Sequence, residues 1–207
     1  TEVMVWRRDG AKMSPEHVES LKRTIRIGED KRLASEALAT DKAWDFFYGC
    51  LPLRNCHPYL EKKGLGLMGC SHMKVDEGGK LVIPIFRRNG DFLSLQIIDD
   101  DGGKKFWPGA PVSGGRYDLW RKHSTITILC EGMATGLTLF AAVPNSTVVV
   151  AFNASNMETV ARARRWQGLC VVAADNDSGT FARIGRNPGI LSATAAAETI
   201  EIGRAHV

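Results

Sequence analysis

Residues 127–136 read TILCEGMATG, and this stretch decides the fold class of the second half of the chain. An apolar run ends abruptly in Glu131 and Gly132, and a segment with helical spacing follows at once. Two further apolar runs, at 146–152 (STVVVAF) and 168–175 (GLCVVAAD), follow with helical patterns between them. This alternation predicts an α/β fold with a Rossmann-like parallel sheet, whose strands are buried on both faces and flanked by helices.

Three acidic residues fall at the carboxyl ends of these strands, where open α/β sheets carry their chemistry. Glu131 follows the first strand, and Asp175 and Asp177 follow the third. Two aspartates at i and i+2 in extended chain point the same way, so the three carboxylates are expected to cluster. Repulsion would raise their pKa values, whereas Mg²⁺ accepts oxygen ligands and keeps positions open for phosphate. Gly132 and Gly179 would let backbone or phosphate come close. An Asx-rich turn without metal is the alternative for the DxDxG segment.

Residues 14–48 predict helices ahead of this sheet. Ser14-Pro15-Glu16 is a helix start, with a cap, a proline at the first helical position and an early acid. Gly28 is expected to separate this helix from a second one, which buries Leu33, Leu38 and Phe47 among others.

Residues 80–107 change to the pattern of an antiparallel meander. KLVIPIFR, FLSLQIID and KKFW are separated by RNGD and DDGG, which are strong turn signals. Pro84 within the first run suggests an edge strand or a bulge. We therefore divide the chain into a helical N-terminal segment (1–56), an α+β subdomain with the meander (57–122) and the parallel-sheet domain (123–207).

Composition restricts the environment of the protein more than its function. The net charge is +4, and residues 60–122 carry +3 of it, so any basic surface lies mainly in the middle of the chain. The five cysteines are an odd number at irregular spacing, which favours free thiols and a cytoplasmic location. No apolar run approaches the ~20 residues that cross a bilayer, and no signal-peptide pattern opens the chain, so no membrane partner is expected.

These motifs resemble a Toprim domain, the module shared by primases, type IA and type II topoisomerases and some nucleases. EGMATG at 131–136 is similar to the EGYATA-type signature of plasmid- and phage-borne primases, with Met133 for Tyr and Gly136 for Ala. VVVAFNASNMETVARARR and VVAADNDSGTFARIGRNPGILSATAAA resemble later segments of the same group. HPYLEKKGL and residues 79–109 resemble the segment before the Toprim fold, so the likeness covers roughly residues 57–200.

The resemblance implies that Asp175 and Asp177 bind Mg²⁺ or Mn²⁺. It also implies that Glu131 shares in metal binding or acts as general acid or base at the 3′-hydroxyl. Primases of this group carry a zinc module before this core and often a helicase after it. Neither is evident here, and the Toprim part is expected to stop before its last strand, so we interpret the chain as a fragment of a longer protein.

Basic residues in and near the middle segment are candidates for holding template or nucleotide, because phosphate contacts need such cations. They are Lys62, Lys63, Arg87, Lys104, Lys105 and Arg116. Each has a solvated loop face as its alternative. Gln96 is expected either to face the site or to lie on the sheet surface, and Trp107 either to stack on a base or to pack in a core or hinge.

Cys56-His57 and Cys70-Ser71-His72 match no common structural zinc spacing, so no zinc is expected in this fragment. The sequence thus favours the catalytic core of a DNA primase, which makes short RNA primers on single-stranded DNA from nucleoside triphosphates. A replicative helicase or helicase domain would be its partner. The alternatives are a Toprim nuclease, a topoisomerase-type strand cleaver, for which Tyr48, Tyr59 and Tyr117 lie in no fitting context, and a non-catalytic module that binds DNA or a helicase.

Overall fold

The computed structural model describes residues 13–205, with side chains through residue 201. Residues 1–12 of the predicted helical segment and residues 206–207 lie outside this range. The described chain forms one antiparallel and one mostly parallel sheet, with helices packed against both. The predicted fold class, in which helix and antiparallel sheet precede a helix-flanked parallel sheet, is confirmed.

One helix, α1 (Pro15–Gly49), occupies the region where the sequence predicts two. It begins as expected at Ser14, whose side chain accepts a hydrogen bond from the backbone N–H of His17 at 3.4 Å. The predicted break at Gly28 is wrong. A helical glycine costs only about 1 kcal/mol relative to alanine, and strong helix formers such as lysine, arginine and glutamate lie nearby on both sides.

Only the C-terminal part of α1 packs against the antiparallel sheet. Ala43 and Phe47 are buried there, and the Thr40 hydroxyl donates to the carbonyl of Leu93 at 3.0 Å. Leu33 and Leu38 are 54% and 56% exposed, so their predicted burial is wrong. The helix extends past the sheet, and a helical apolar pattern cannot show where its partner surface stops.

The antiparallel sheet confirms the predicted meander. Its strands pair in chain order: β1 (Leu51–Pro52), β2 (Lys74–Val75), β3 (Leu81–Phe86), β4 (Phe92–Ile98) and β5 (Lys104–Phe106). A short helix, α2 (Pro58–Lys62), lies between β1 and β2. Pro84 sits opposite Leu95, one residue before a register shift between Ile85 and Phe86. Because β2 pairs only with Leu81 and Val82, Pro84 has no strand partner on that side of β3.

The second sheet has the order β6-β8-β7-β9. Its strands are β6 (Tyr117–Leu119), β7 (Ile126–Cys130), β8 (Ser146–Val150) and β9 (Leu169–Ala173), and β7 pairs in parallel with both β8 and β9. The helices are α3 (Met133–Ala142), α4 (Ala154–Ala163), α5 (Ser178–Ile184) and α6 (Pro188–Ala205). The three predicted strands and the crossover helices between them are confirmed.

Two features of this sheet differ from the expectation. β6 pairs antiparallel with β8 and was not predicted, since three residues are too few to show a period. β9 is not buried on both faces, because it forms an edge of the sheet, and Leu169 and Val171 are exposed. A continuous apolar run therefore identifies the strand but not its position in the sheet.

One apolar core joins the two sheets. Leu81, Ile83 and Leu93 of the antiparallel sheet belong to the same buried cluster as Ile128 and Val150 of the parallel sheet. A second cluster packs α4 and α6 on the opposite face of the parallel sheet. Within residues 13–205, no helix is both long and apolar enough to cross a membrane.

Candidate active site

The carboxyl ends of β7, β8 and β9 lie side by side. Cys130, the last residue of β7, is in register with Val150 of β8 and with Ala173 of β9. The chain stays paired one step further, since the amide of Phe152 donates to the carbonyl of Glu131 at 2.8 Å. Strand geometry therefore brings Glu131 to the same edge as the segment that follows β9.

Glu131 is half-buried at this edge. Burial raises the pKa of its carboxyl group, and the negative charges of Asp175 and Asp177 raise it further. The charge of Lys104 and a hydrogen bond from the backbone N–H of Ala154 act in the opposite direction on the pKa. The charges of both aspartates therefore act on Glu131.

The loop 175–177 carries the two aspartates and rests on the first turn of α6. Asp177 Oδ2 accepts the backbone N–H of Gly189 at 3.0 Å. Asn187 donates from Nδ2 to Asn176 Oδ1 at 2.9 Å, and its own Oδ1 accepts the Asp177 N–H at 3.3 Å. Asp177 therefore has one carboxylate oxygen committed within the protein.

The chemistry of these acids fits a hard divalent cation, because carboxylate oxygens are the ligands that Mg²⁺ prefers and a cation relieves their repulsion. Their side chains, however, are not arranged as a set of ligands around one ion. Among the described residues, no group of three or more His, Cys, Asp or Glu side chains is placed so that it could hold one ion. The shared ligand set of Glu131, Asp175 and Asp177 therefore stays a prediction.

Of the predicted basic residues, Lys104 is the one whose charge acts on Glu131. It is on β5, its Nζ is 5.7 Å from the centroid of the Tyr59 ring, and its charge lowers the pKa of Glu131. Lys105 follows it in the strand and acts instead on Asp99, whose pKa it helps to lower. The two lysines therefore serve different surroundings, since successive side chains of a strand point to opposite faces.

Arg87 and Arg116 lie together at a surface cavity. They line a cavity of about 400 Å³ together with Arg88, His72 and other residues. The guanidinium of Arg116 is already engaged, because its Nε donates to Asp118 Oδ1 at 2.9 Å. Arg87 and Arg88 are exposed at the turn between β3 and β4.

The remaining predicted residues lie in open positions. Lys62 and Lys63 are exposed at the end of α2, and no contact within the described residues joins them to the acids. A Cβ at Gly179 would meet nothing within 4 Å, and one at Gly132 would meet only Thr135 Oγ1 at 3.8 Å. The chain itself therefore does not require glycine at either position, and the predicted approach of a ligand stays a prediction.

The packing of Trp107, Gln96 and two tyrosines bears on the alternatives that the sequence left open for them. Trp107 packs against Phe46, with ring centroids 4.9 Å apart, as expected for core or hinge packing. Gln96 is buried, which excludes the surface position. Tyr59 and Tyr117 are each only 2% exposed, so neither can serve as an attacking nucleophile without rearrangement.

Two of the zinc candidates, Cys56 and His57, make hydrogen bonds within the chain. His57 Nδ1 accepts the N–H of Tyr59 at 3.1 Å, and the Cys56 thiol donates to the carbonyl of Leu65. Cys50, Cys56, Cys70 and Cys130 carry free thiols, in agreement with the expectation of no disulfide framework.

Sequence reasoning missed three residues that shape this edge. Asn187 and Gly189 hold the acidic loop, and an Asn-Pro-Gly helix start soon after the acids is the signal that could have pointed to them. Phe152 has φ = 70°, a left-handed conformation that is costly for an aromatic residue and that clusters at functional sites. No sequence pattern indicates such a conformation at a phenylalanine.

Comparison with known proteins identifies the class of this domain. Residues 126–205 match the family model described as Toprim domain. This part of the chain therefore belongs to the Toprim family, and it contains all three acids. The resemblance that the sequence motifs predict is confirmed.

Two related proteins carry the name DNA primase. The chain is 28% identical over 213 residues to DNA primase TraC of Escherichia coli, covering 95% of this chain and 14% of that protein. A second DNA primase TraC of Escherichia coli is 30% identical over 158 residues, covering 72% of this chain and 15% of that protein. The chain thus spans only a small part of the length of these relatives.

The fold also matches a solved structure. The primase fragment of the Bacteriophage T7 primase-helicase protein aligns with a TM-score of 0.50 at 16% identity, covering 73% of this chain and 66% of that one. At this identity the likeness concerns the fold alone.

Proposed function

We propose that this chain is the catalytic core of a DNA primase of the plasmid and phage type. It would make short RNA primers on single-stranded DNA by metal-dependent transfer of nucleotides from nucleoside triphosphates. One observation carries the proposal. Three carboxylates from two neighbouring parallel strands share one edge of a Toprim domain whose relatives are DNA primases, and the pKa of Glu131 is raised by the other two.

In this proposal Glu131 accepts the proton of the primer 3′-hydroxyl. The hydroxyl oxygen then attacks the α-phosphorus of the incoming triphosphate, and pyrophosphate leaves. Burial, the largest cause of the raised pKa of Glu131, acts independently of the neighbouring acids and suits this role, because a general base is most effective when its pKa approaches the working pH. Asp175 and Asp177, with Glu131, would hold Mg²⁺ or Mn²⁺, which supplies charge stabilisation for the phosphoryl oxygens.

The basic residues would hold the charged substrates. Lys104 is the best placed for the triphosphate, since its charge already acts on Glu131. Arg87 and the cavity that it shares with Arg116 would contact the template backbone, and Lys62, Lys63 and Lys105 would add to a basic path. Phosphate would approach beside Gly132 and Gly179, where an added Cβ would meet little or nothing within 4 Å. A helicase partner and a cytoplasmic location belong to the same proposal.

The first experiment measures incorporation of labelled ATP on mixed single-stranded DNA templates with Mg²⁺ or Mn²⁺. We expect short RNA products that need the metal and disappear in Asp175→Asn/Asp177→Asn. Glu131→Gln and Asp175→Asn should each keep DNA binding and lose primer synthesis. Primer yield at the wild-type level from either single variant would refute the assigned roles.

The same reactions separate the alternatives. Cleavage of the DNA without nucleotide incorporation would assign the acids to a nuclease. DNA binding that is unchanged by Mg²⁺, with no metal binding in calorimetry, would indicate a non-catalytic module.

A further inference from the structure

The first turn of α6 and the residue just before it form a hydrogen-bonded clamp on the acidic loop 175–177. Two residues make it, and both lie more than ten positions further along the chain than the loop's first residue. Asn187 reaches the loop twice, at the Asp177 N–H and at Asn176 Oδ1, and Gly189 donates its N–H to Asp177 Oδ2. The loop's position is thus tied to the position of an 18-residue helix.

Gly189 is required by close approach and not by a special backbone angle. A Cβ built at this position would lie 2.2 Å from the carbonyl oxygen of Asp175 and 3.0 Å from its carbonyl carbon. These are backbone atoms, which cannot rotate away as the end of a side chain can. Any residue larger than glycine must therefore push the loop and the helix apart.

Asn187 has two separable roles. It immediately precedes α6, and its Oδ1 accepts the N–H of Ile190 at 3.2 Å, as a helix cap does. Its reach to the loop is additional, and the Nδ2 donor has no use in capping. A shorter capping residue such as serine would keep the first role and lose the second.

We propose that Asn187 and Gly189 are positioning residues, which hold Asp175 and Asp177 in place for the reaction. This inference rests on the proposed function, since it assigns the clamp to the acids of the same site. Neighbours that orient ligating carboxylates typically change metal affinity about 10- to 100-fold when they are removed.

The test compares Gly189→Ala and Asn187→Ser with the wild-type chain. We expect Mn²⁺ binding, followed by electron paramagnetic resonance, to weaken about 10-fold or more in both variants. The kcat of primer synthesis should fall with it, whereas the KM for the template should stay nearly unchanged. Asn187→Ser should keep the thermal midpoint of the wild type, because serine also caps helices.

Gly28→Ala is the matched control for the added methyl group, since Gly28 also lies in a helix and a Cβ there meets nothing within 4 Å. It should leave Mn²⁺ affinity and kcat unchanged. If Gly189→Ala does not fold, the Mn²⁺ affinity and the kcat of Asn187→Ser alone test the proposal. Folded variants with Mn²⁺ affinity and kcat within twofold of the wild type would overturn the proposal.

Amide hydrogen exchange separates a failure of the clamp from a failure of the primase assignment. The Asp177 amide donates to Asn187 Oδ1, so its exchange should accelerate in Asn187→Ser whatever reaction the protein catalyses. If the wild type makes no primers, faster exchange and weaker Mn²⁺ binding in the variant still support the clamp. Unchanged exchange of this amide refutes it.

Discussion

The Glu131 carboxylate is held where its ionised form is disfavoured. Burial and the charges of Asp175 and Asp177 raise its pKa, and the folded state therefore binds this proton more tightly than the unfolded chain does. The resulting destabilisation is absent below the unfolded pKa of about 4.3 and grows as the pH rises through the folded pKa. Such a cost is typical of functional sites, where activity and stability compete.

We therefore expect Glu131→Gln to be more stable than the wild type at pH 7, and to lose this advantage near pH 4. Primer synthesis should fall by about 100-fold or more, since a general base contributes at least that much. Urea unfolding at both pH values, without metal, measures the difference. Glu158→Gln is the control, because Glu158 pairs with Arg162 on an exposed helix face and its loss should be slightly destabilising. A Glu131→Gln variant less stable than the wild type at pH 7 would contradict the reasoning.

The three acids could be found from sequence because Glu131 and Asp175 directly follow apolar runs, with Asp177 two residues further, and strand register then brings the strand ends to one edge. Asn187 and Gly189 could not be placed in the same way. Their contacts depend on how α5 and α6 turn back onto the loop, which no local pattern specifies. Strand alternation predicts that Lys104 and Lys105 point to opposite faces of the sheet. It does not predict which acidic groups their charges act on.

At the scale of the secondary-structure elements, α3 packs against β8 with Gly136 facing the side chain of Val150. A Cβ on Gly136 would lie 2.5 Å from Val150 Cγ2 and 3.3 Å from Cys130 Sγ. This explains why the chain has glycine where the EGYATA-type signature has alanine. The side chain of Val150 fills the space that an alanine would need.

Gly136→Ala should destabilise the protein by about 1–3 kcal/mol through overpacking, despite the better helix propensity of alanine. Val150→Ala should remove the clash, so the double variant should be more stable than the sum of the two single effects indicates. Urea unfolding of the two single variants and the double variant measures this coupling. Additive effects within about 0.5 kcal/mol would show that the two residues do not compete for space.

Strands and crossover helices were predictable because their apolar runs and caps are local signals. The break at Gly28 was predicted wrongly because glycine lowers helix propensity without preventing a helix. β6 and the exposed edge at β9 depend on pairing between distant segments, so the sequence alone does not determine them. The predicted boundary at residue 122 stays a prediction, although β6 on its N-terminal side pairs with β8.

The shared core makes the two sheets depend on each other in the protein as a whole. Tyr117 and Leu119 of β6 are buried between them, in the same cluster as Leu81 and Phe140. Residues of the preceding segment therefore cover part of one face of the parallel sheet. Without them, this apolar face would be exposed to water, at a free-energy cost of about 25 cal/mol per Å².

We expect a chain trimmed to residues 123–207 not to fold to a cooperative native state, because it lacks β6 and the antiparallel sheet. A chain trimmed to residues 39–207 should fold, since the removed part of α1 is largely exposed and contains Leu33 and Leu38. Circular dichroism and tryptophan fluorescence during urea unfolding test both chains, and the longer one should give a single, coincident transition. If residues 123–207 alone unfold cooperatively, the contacts across the shared core are not essential, and the predicted boundary marks an independent domain.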